Sequence, residues 1–271
     1  MTFEKWQALG NDYVIVEAAE LPWELTPARV RRLCDPHLGV GADGVLLLAP
    51  PDEEGYVARL RIFNPDGSEA ELSGNGAREA ILYLRRRGWT DASTFSIQTA
   101  AGEIRPTITG ETTCTVDMGR ARDAGRGILE AGGREWDFHE LAIGNPQCAI
   151  FVGEELEELD LAAIGPGIER HERFPNRTNV SFVRELSPGV VRARIFERGV
   201  GETLSSGTGA SGAAVAYVLR GGESPVAVRL DGGELEVEVG EDLHVNLTGW
   251  AVPVYRGELA AEFVKELDET E

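Results

Sequence analysis

Cysteine is scarce in this chain, whose 271 residues include only Cys34, Cys114 and Cys148. Their number is odd and their spacing contains no paired motif, so neither a disulfide framework nor a zinc site is indicated. The histidines are also scattered, without metal-ligand spacing: His37, His139, His171 and His244. We therefore expect buried cysteines that behave as small hydrophobic residues, structural or surface histidines, and no metal site.

Long hydrophobic runs are absent as well. The longest apolar stretches, such as "GVLLLAP" and "GAAVAYVL", are far too short to span a bilayer. The N-terminal segment "MTFEKWQALGNDYVIVEAAE" carries Glu4 and Lys5 and has no apolar core of signal length. The sequence therefore predicts a cytoplasmic protein with no membrane partner.

Positive charge is in short supply, with 26 basic residues against 46 acidic ones and a net charge of −20. Such a field repels nucleic acid and anionic lipid, so neither is an expected partner. No lysine lies in a recognisable cofactor motif, which gives no indication of pyridoxal phosphate. The hydrophobic fraction of 42% is ordinary for a soluble globular protein of one large or two smaller domains.

The chain does contain an internal repeat. A shift of 133 positions brings Phe63 onto Phe196, and it brings "SGNGA" from Ser73 onto "SGTGA" from Ser206. The same ungapped register superimposes further identities: Glu69 on Glu202, Arg87 on Arg220 and Gly88 on Gly221. A period of this length predicts two duplicated halves, not a solenoid of small units.

Each half shows the same order of local patterns. "VARLRIFN" and "VVRARIFERG" alternate apolar and charged residues, which predicts a strand. A turn, the Ser-Gly-x-Gly element and a helical pattern follow, and each helix is expected to end at Arg before Gly. "ASGAAVAYVLRGG" predicts a helix buried on all sides, whereas "TPARVRRLCD" predicts one capped by Thr26 with Pro27 at its first position. Elsewhere short strands and hairpins predominate.

The two Ser-Gly-x-Gly turns have a chemical interpretation and a structural one. A helix N-terminus presents unpaired N–H groups and partial positive charge, and glycine lets an anion approach them. Two such turns could hold one carboxylate, with the preceding side chains on opposite faces of the bound group. One side chain would remove a proton and the other would return it. The alternative is a pair of glycine-rich caps without a ligand.

Six blocks in order carry a resemblance to a known family: "ALGNDYVIVE", "GVGADGVLLL", "FNPDGSEAELSGNGAR", "GNPQCAIFV", "FPNRTNVSFV" and "ERGVGETLSSGTGA". Together they resemble the diaminopimelate epimerases, which are cofactor-free amino-acid epimerases of bacterial lysine and cell-wall synthesis. The resemblance runs from about Ala8 to beyond Gly212, and "VPVYRGEL" is similar to the family's last strand. Diaminopimelate is the substrate that it implies, and the family often forms homodimers.

The resemblance implies an α+β fold of two pseudo-symmetric domains, each a curved mixed sheet around a central helix, with substrate in the cleft between them. It places residues 1–118 and 252–271 in one domain and 119–251 in the other. Ser73 and Ser206 match its acid and base positions. The matching substrate-binding positions are Asn11, Asn64, Gly74, Asn75, Asn145, Asn179, Glu197, Arg198, Gly207 and Thr208. Any single asparagine can equally be a turn residue.

The sequence departs from the family at the reacting groups. Cysteine normally occupies positions 73 and 206, histidine is usual at Gln147, and cysteine is common at Glu79 and Ser211. A thiol titrates near pH 8.5, which suits proton transfer, whereas a hydroxyl is a far weaker acid. The serines are compatible with engineered silencing, with a natural relative of changed chemistry such as the proline-racemase-like epimerases and dehydratases, or with a binding protein. A serine hydrolase is a poorer interpretation because no histidine adjoins either motif.

Overall fold

Strands outnumber helices, as the sequence predicts. The computed structural model of the protein describes residues 1–270, which form nineteen β-strands and five α-helices. The chain divides into two units, residues 117–249 and residues 1–116 with the described residues from 250 onward. The predicted first domain extends to residue 271, which lies outside the described residues.

The first unit is built around helix α2. Its elements are β1 (Thr2–Ala8), β2 (Asn11–Glu17), α1 (Pro27–Cys34), β3 (Val45–Ala49), β4 (Ala58–Phe63), β5 (Glu69–Ala70), α2 (Gly74–Arg86), β6 (Ile97–Thr99), β7 (Gly102–Ile104), β8 (Thr107–Ile108) and the start of β9 (Thr113–Arg120), and after the second unit β19 (Val252–Glu258) and α5 (Ala261–Asp268). The main sheet has the order β19-β1-β2-β3-β4-β6-β7, and β5 pairs with β4. The β2/β3 and β4/β6 pairs are parallel and the others antiparallel, so the sheet is mixed.

The second unit has helix α4 at its centre. Its elements are β10 (Arg122–Ala131), β11 (Arg134–Ile143), β12 (Asn145–Phe151), α3 (Leu161–Glu169), β13 (Asn179–Ser187), β14 (Val190–Glu197), β15 (Gly201–Thr203), α4 (Gly207–Leu219), β16 (Val226–Leu230), β17 (Gly233–Val239) and β18 (His244–Trp250). Its sheet includes the consecutive order β10-β11-β12-β13-β14-β16-β17-β18, and β15 pairs with β14. The parallel pairs are β12/β13 and β14/β16, at places corresponding to β2/β3 and β4/β6.

The strand pairing before each turn repeats at the offset seen in the sequence. Phe63 pairs with Glu69, and 133 residues later Phe196 pairs with Glu202. Each of these pairings brings the chain back on itself immediately before its Ser-Gly-x-Gly turn. The expected α+β fold of two similar halves, each a mixed sheet with a central helix, is confirmed.

The two central helices follow the sequence closely. α2 and α4 are each 13 residues long. Helix α4 packs against most strands of its sheet, namely β11, β12, β13, β14, β16 and β17. Both helices end at an arginine cap, Arg87 or Arg220, followed by a glycine with positive φ, Gly88 or Gly221. Only glycine adopts that conformation at little cost, so the Arg-Gly pairs end the helices as predicted.

Helix α1 also begins as predicted, since the Thr26 hydroxyl accepts a hydrogen bond from the Arg29 amide at 3.3 Å and Pro27 is the first helical residue. Two further helices, α3 and α5, were not predicted. Pro166 lies inside α3 and obscures its helical pattern, although Asp160 caps its start by accepting from the Ala163 amide. Among the described residues, no helix combines the length and the apolar character needed to cross a membrane.

Candidate active site

The first Ser-Gly-x-Gly turn forms the start of α2, with Ser73 as its N-cap. The Ser73 Oγ accepts a hydrogen bond from the Gly76 amide at 3.1 Å and another from the Tyr13 hydroxyl, also at 3.1 Å. Two donors therefore point at the serine oxygen. This arrangement stabilises negative charge on that oxygen and leaves the hydroxyl proton available to a third group.

Packing requires the second glycine of each turn. A Cβ on Gly76 would lie 3.0 Å from Leu46 Cδ2 and 3.3 Å from the Tyr13 ring. A Cβ on Gly209 would lie 2.7 Å from Ile195 Cδ1. Both helices thus begin in close contact with a strand of their own sheet, which a side chain at this position would prevent.

A buried arginine supports the first turn from behind. Arg78 is fully buried, and its guanidinium donates to the Gly74 carbonyl at 3.1 Å and to the Asn75 side chain at 2.5 Å. Asn75 in turn donates to the Asn11 side chain at 3.4 Å, and Asn11 donates to Asp43 at 2.9 Å. Burial lowers the pKa of Arg78 to about 10. The chain of hydrogen bonds joins two of the predicted substrate-binding asparagines to the turn.

The third predicted asparagine of this unit, Asn64, lies in the turn between β4 and β5. Its side chain donates to the Ser68 hydroxyl at 3.0 Å, and its amide donates to the Ser68 carbonyl at 2.8 Å. The Asn64 carbonyl accepts from Gly67 at 2.9 Å. These contacts are those of a turn residue, and its side-chain oxygen is the atom left for a ligand.

Glu79 is the least expected residue of α2. Its side chain is fully buried, and among the described residues neither carboxyl oxygen has a hydrogen-bond partner of good geometry, although the Tyr13 backbone acts on it as a donor. Burial raises the pKa of Glu79 well above its ordinary value, the carboxylates of Asp12 and Asp43 raise it further, and Arg78 acts in the opposite direction. The buried surroundings of Glu79 therefore favour the neutral form of its carboxyl group.

The second turn caps α4 in the same way, but its serine has a different neighbour. The Ser206 Oγ accepts from the Gly209 amide at 3.2 Å. Its hydroxyl faces the carboxyl group of Glu197, which also accepts from Thr203 Oγ1 at 3.2 Å. Burial raises the pKa of Glu197, and the hydrogen bonds from Ser206 and Thr203 partly offset that rise. Ser206 therefore lies beside a potential general base.

Asn145, Gln147 and Thr208 come together at the start of α4. Gln147 donates to Asn145 at 2.5 Å, and Asn145 donates to the Thr208 hydroxyl at 3.3 Å. Gln147 is 1% exposed, and its Oε1 has no hydrogen-bond partner among the described residues. A Cβ on Gly212 would lie 3.1 Å from Gln147 Cβ, so the glutamine packs directly against the helix.

Asn179 and Arg198 are joined through the backbone. The Asn179 side chain accepts from the Arg198 amide at 2.8 Å, and the Arg198 guanidinium donates to the Asn176 carbonyl at 3.0 Å. Glu197 precedes Arg198 in the same turn, yet its carboxyl group lies against Ser206 and Thr203. The two predicted residues therefore have different surroundings: Glu197 is half-buried beside Ser206, whereas Arg198 is exposed.

The structure reveals partners for both serines that the sequence analysis did not assign. Tyr13 lies two residues after Asn11 in "GNDY", so strand alternation places both side chains on one face of β2. Gln147 has the same relation to Asn145. The signal for Tyr13 was therefore present in the spacing, whereas the Glu197–Ser206 proximity depends on the pairing of β14 with β15.

No remaining cysteine of the described chain is suited to replace the missing thiols. Cys34, Cys114 and Cys148 are all buried and unpaired, as expected. Burial raises the pKa of Cys34 to about 12 and that of Cys114 to about 12, and it raises the pKa of Cys148 further. Among the described residues, no three His, Cys, Asp or Glu side chains are grouped so that they could hold a metal ion.

Comparison with known proteins agrees with this geometry. The family model for diaminopimelate epimerase matches residues 3–123 and 141–256. A diaminopimelate epimerase of Synechococcus sp. (strain JA-3-3Ab) is 42% identical over 96% of this chain and 98% of its own. The diaminopimelate epimerase of Desulforudis audaxviator is 44% identical over 95% of this chain and 98% of its own.

Solved structures of lower identity share the fold. A Bacillus anthracis phenazine biosynthesis protein of the PhzF family has a TM-score of 0.72 at 20% identity, covering 96% of this chain and 99% of that one. A hydroxyproline epimerase from Agrobacterium vitis has a TM-score of 0.67 at 17% identity, covering 96% and 92%. The matches over nearly the full length confirm the resemblance seen in the six sequence blocks, and the chain belongs to the diaminopimelate epimerase family.

Proposed function

We propose that this chain is an isomerase that interconverts the LL and meso stereoisomers of diaminopimelate without a cofactor. One observation carries the proposal: a chain 42% identical to a diaminopimelate epimerase has two Gly-x-Gly helix starts, each capped by a hydrogen-bonded serine. Proton removal from one face of Cα and proton return on the other need one such group on each face.

In this proposal both turns act on one substrate molecule. The backbone amides of Gly74, Asn75, Gly207 and Thr208 bind the carboxylate beside the reacting carbon, because amides at a helix N-terminus favour an anion. The resulting dipoles also stabilise the carbanion that forms when the Cα proton leaves. In this proposal the carboxylate anchors the reacting end of the substrate.

The remaining predicted residues are assigned to the two ends of the substrate. Arg198 is exposed and can bind the distal carboxylate in bidentate fashion. Glu197 faces Ser206, and we assign it to that serine, where its carboxylate can also attract the substrate's ammonium group. The side-chain amides that complete the site are Asn11, Asn64, Asn145 and Asn179.

The neighbours of the serines supply the acidity and basicity that a hydroxyl lacks. On one face, Ser206 Oγ takes the Cα proton while its own proton passes to the Glu197 carboxylate. On the other face, Ser73 gives its proton to Cα and is reprotonated by Tyr13, since a phenol is a far stronger acid than an aliphatic hydroxyl. Solvent then takes the proton from the Glu197 carboxyl group and returns one to the Tyr13 phenolate, and the reverse reaction runs through the same groups.

Conversion of LL-diaminopimelate to the meso form, measured by chiral chromatography, tests this function. Calorimetry with the same compound shows separately whether the pocket binds it. We expect binding and slow conversion, both insensitive to a chelator and to pyridoxal phosphate. Binding without conversion would make the chain a binding protein of the family, and failure of both would refute the substrate assignment.

We further propose that the protein forms a homodimer through β19. This strand pairs with β1 and is the edge of its sheet, and Val254 and Tyr255 on it are 54% and 44% exposed. An exposed edge with large hydrophobic side chains favours pairing with another strand. Light scattering should give a dimer mass for the protein and a monomer mass for the Tyr255→Arg variant, and an unchanged mass would exclude this edge.

A cytoplasmic location completes the proposal. All three cysteines are buried and unpaired, which is typical of a reducing compartment. Fractionation of the source cells should place the protein with cytoplasmic markers, and recovery from an extracytoplasmic fraction would contradict this assignment.

A further inference from the structure

A second buried carboxylate lies close to the candidate site and has no place in the mechanism above. Glu169 is the last residue of α3 and is 1% exposed. A carboxylate removed from water to this extent costs free energy unless it is paired and hydrogen-bonded. Its partners therefore indicate what it stabilises.

Glu169 is bound from two directions. Arg170 and Arg177 approach its carboxylate from the solvent side, at 3.2 Å and 3.4 Å, and both arginines are themselves exposed. From the protein side, the backbone amide of Gly199 donates to Glu169 Oε1 at 3.1 Å. The carboxylate thus connects the end of α3 with the turn that follows β14.

That turn carries the two charged residues of the candidate site. The Val200 amide donates to the Glu197 carbonyl at 3.1 Å, which closes the turn, and Gly199 has a positive φ. The Arg198 amide donates to the Asn179 side chain at 2.8 Å. Glu169 and Asn179 therefore hold the two central amides of a turn whose first residues are the proposed base and the proposed carboxylate ligand.

A second contact fixes α3 against the same strand. Gly165 lies one helical turn before Glu169 on the same face of α3, and a Cβ at Gly165 would overlap the ring of Phe196. Phe196 immediately precedes Glu197. The helix is thus held at both ends of a short segment, by ring packing at Gly165 and by the hydrogen bond from Gly199 at Glu169.

We infer that Glu169 is a positioning residue, whose buried carboxylate orients the Glu197–Val200 turn so that Glu197 faces Ser206 and Arg198 faces the substrate. Its catalytic consequence rests on the proposed function, whereas its effect on the turn does not. Glu169 touches no reacting atom in this assignment and acts through the amide of Gly199.

The test compares Glu169→Ala, Glu169→Asp and Glu169→Gln with Glu172→Gln, which removes the same charge from an exposed neighbour on the surface. Two quantities are measured for each variant: hydrogen exchange of the Gly199 amide by NMR, and kcat/KM for diaminopimelate conversion, resolved into kcat and KM. The first needs no activity, so the inference can be judged even if the proposed function fails. Glutamine keeps an oxygen for Gly199, while aspartate withdraws the carboxylate by one methylene.

We expect alanine to speed exchange of the Gly199 amide at least tenfold and to lower kcat/KM at least tenfold, with kcat reduced through Glu197 and KM raised through Arg198. Glutamine should restore both quantities to within about threefold of the parent protein, and Glu172→Gln should change neither. If the alanine variant does not fold, aspartate should give the same changes in smaller size. Unchanged Gly199 exchange in a folded alanine or aspartate variant would overturn the inference, as would glutamine being no better than alanine.

Discussion

The two turns share a backbone and differ in what surrounds the serine. Ser73 accepts hydrogen bonds from the Tyr13 hydroxyl and the Gly76 amide, whereas Ser206 accepts from Gly209 and faces the carboxyl group of Glu197. One serine oxygen is held by two donors, and the other lies between a donor and an acceptor. The two caps are therefore alike while the neighbours of their serines differ, and in the proposed mechanism the first unit supplies the acid and the second the base.

The side chains that bind the first carbonyl of each helix also differ between the two units. Arg78 donates to the carbonyl of Gly74 at 3.1 Å, and Ser211, which is 133 residues later, donates to the carbonyl of Gly207 at 2.9 Å. One position thus binds the same carbonyl with a buried cation in the first unit and with a neutral hydroxyl in the second. The extra positive charge lies behind Ser73, where it favours an anionic oxygen.

The largest expected effect comes from removing the feature that the turns share. Replacing both serines, S73C/S206C, supplies groups that titrate near pH 8.5 at both faces. Because general acid–base catalysis contributes roughly 10²–10⁴-fold, we expect conversion of diaminopimelate to accelerate by that order. Stopped conversion assays on the two proteins measure it. Equal rates would mean that the hydroxyls, with their neighbours, already suffice.

Removing the side-chain partner of one serine should impair proton transfer at that serine alone. E197Q should lower the rate by about 10²-fold, since the variant has no base beside Ser206. Burial raises the pKa of Glu197, and only the ionised form is a base, so the parent rate should rise with pH through that raised pKa. A pH–rate profile checks both points. Y13F is the matched change beside Ser73, and we expect it to lower the rate about tenfold while the rate still falls at low pH as in the parent protein. An acid limb that persists in E197Q would assign the titration to another group.

The second glycine of each turn is expected to contribute to the stability of the protein by a different amount. A Cβ at Gly209 would lie 2.7 Å from Ile195 Cδ1, against 3.0 Å from Leu46 Cδ2 for Gly76. We expect G209A to destabilise the protein by about 1–3 kcal/mol and G76A by less, because overpacking forces neighbouring side chains to move. Urea denaturation of the two variants gives the order, and a larger loss for G76A would contradict it.

The smallest effect concerns Glu79, which has a glycine, Gly212, at the corresponding place in the second unit. In the unfolded chain the carboxyl ionises near its ordinary pKa of about 4.3, whereas in the folded protein burial keeps it protonated to higher pH. Between these pKa values the unfolded state binds fewer protons, so stability falls as pH rises. E79Q lacks this loss, and its advantage should grow by about 1–3 kcal/mol as pH rises above the pKa of the unfolded chain.

Urea denaturation at several pH values measures this slope, and Glu172→Gln serves as the exposed control. A stability difference between E79Q and the parent that is constant over the whole range would show that Glu79 titrates normally in the folded protein.

The sequence was sufficient for the features that depend on local pattern or on duplication. Thr26 with Pro27, and the Arg-Gly pairs after α2 and α4, determine helix ends through local chemistry. The repeat that aligns Phe63 with Phe196 was enough to predict that the two units share one topology. Helix α3 was missed because Pro166 and two glycines interrupt its pattern, and α5 because its apolar face is short.

The partners of the serines could not be predicted in the same way. Tyr13 reaches Ser73 from a strand 60 residues earlier, and the Glu197 carboxyl meets Ser206 because β15 folds back along β14. Glu169 meets Gly199 through the packing of α3 on Phe196, 30 residues apart in sequence. Such contacts depend on tertiary packing, whereas a motif records only the spacing of residues along the chain.

Deuterium exchange at Cα of LL- and meso-diaminopimelate in D₂O, followed by NMR, tests the central claim most directly. The parent protein should exchange the reacting Cα proton of both stereoisomers. S73A and S206A should each abolish exchange from a different stereoisomer and leave the other measurable, because each serine serves one face. Binding of both stereoisomers without exchange, or equal loss from both in each single variant, would contradict a division of proton transfer between the two turns.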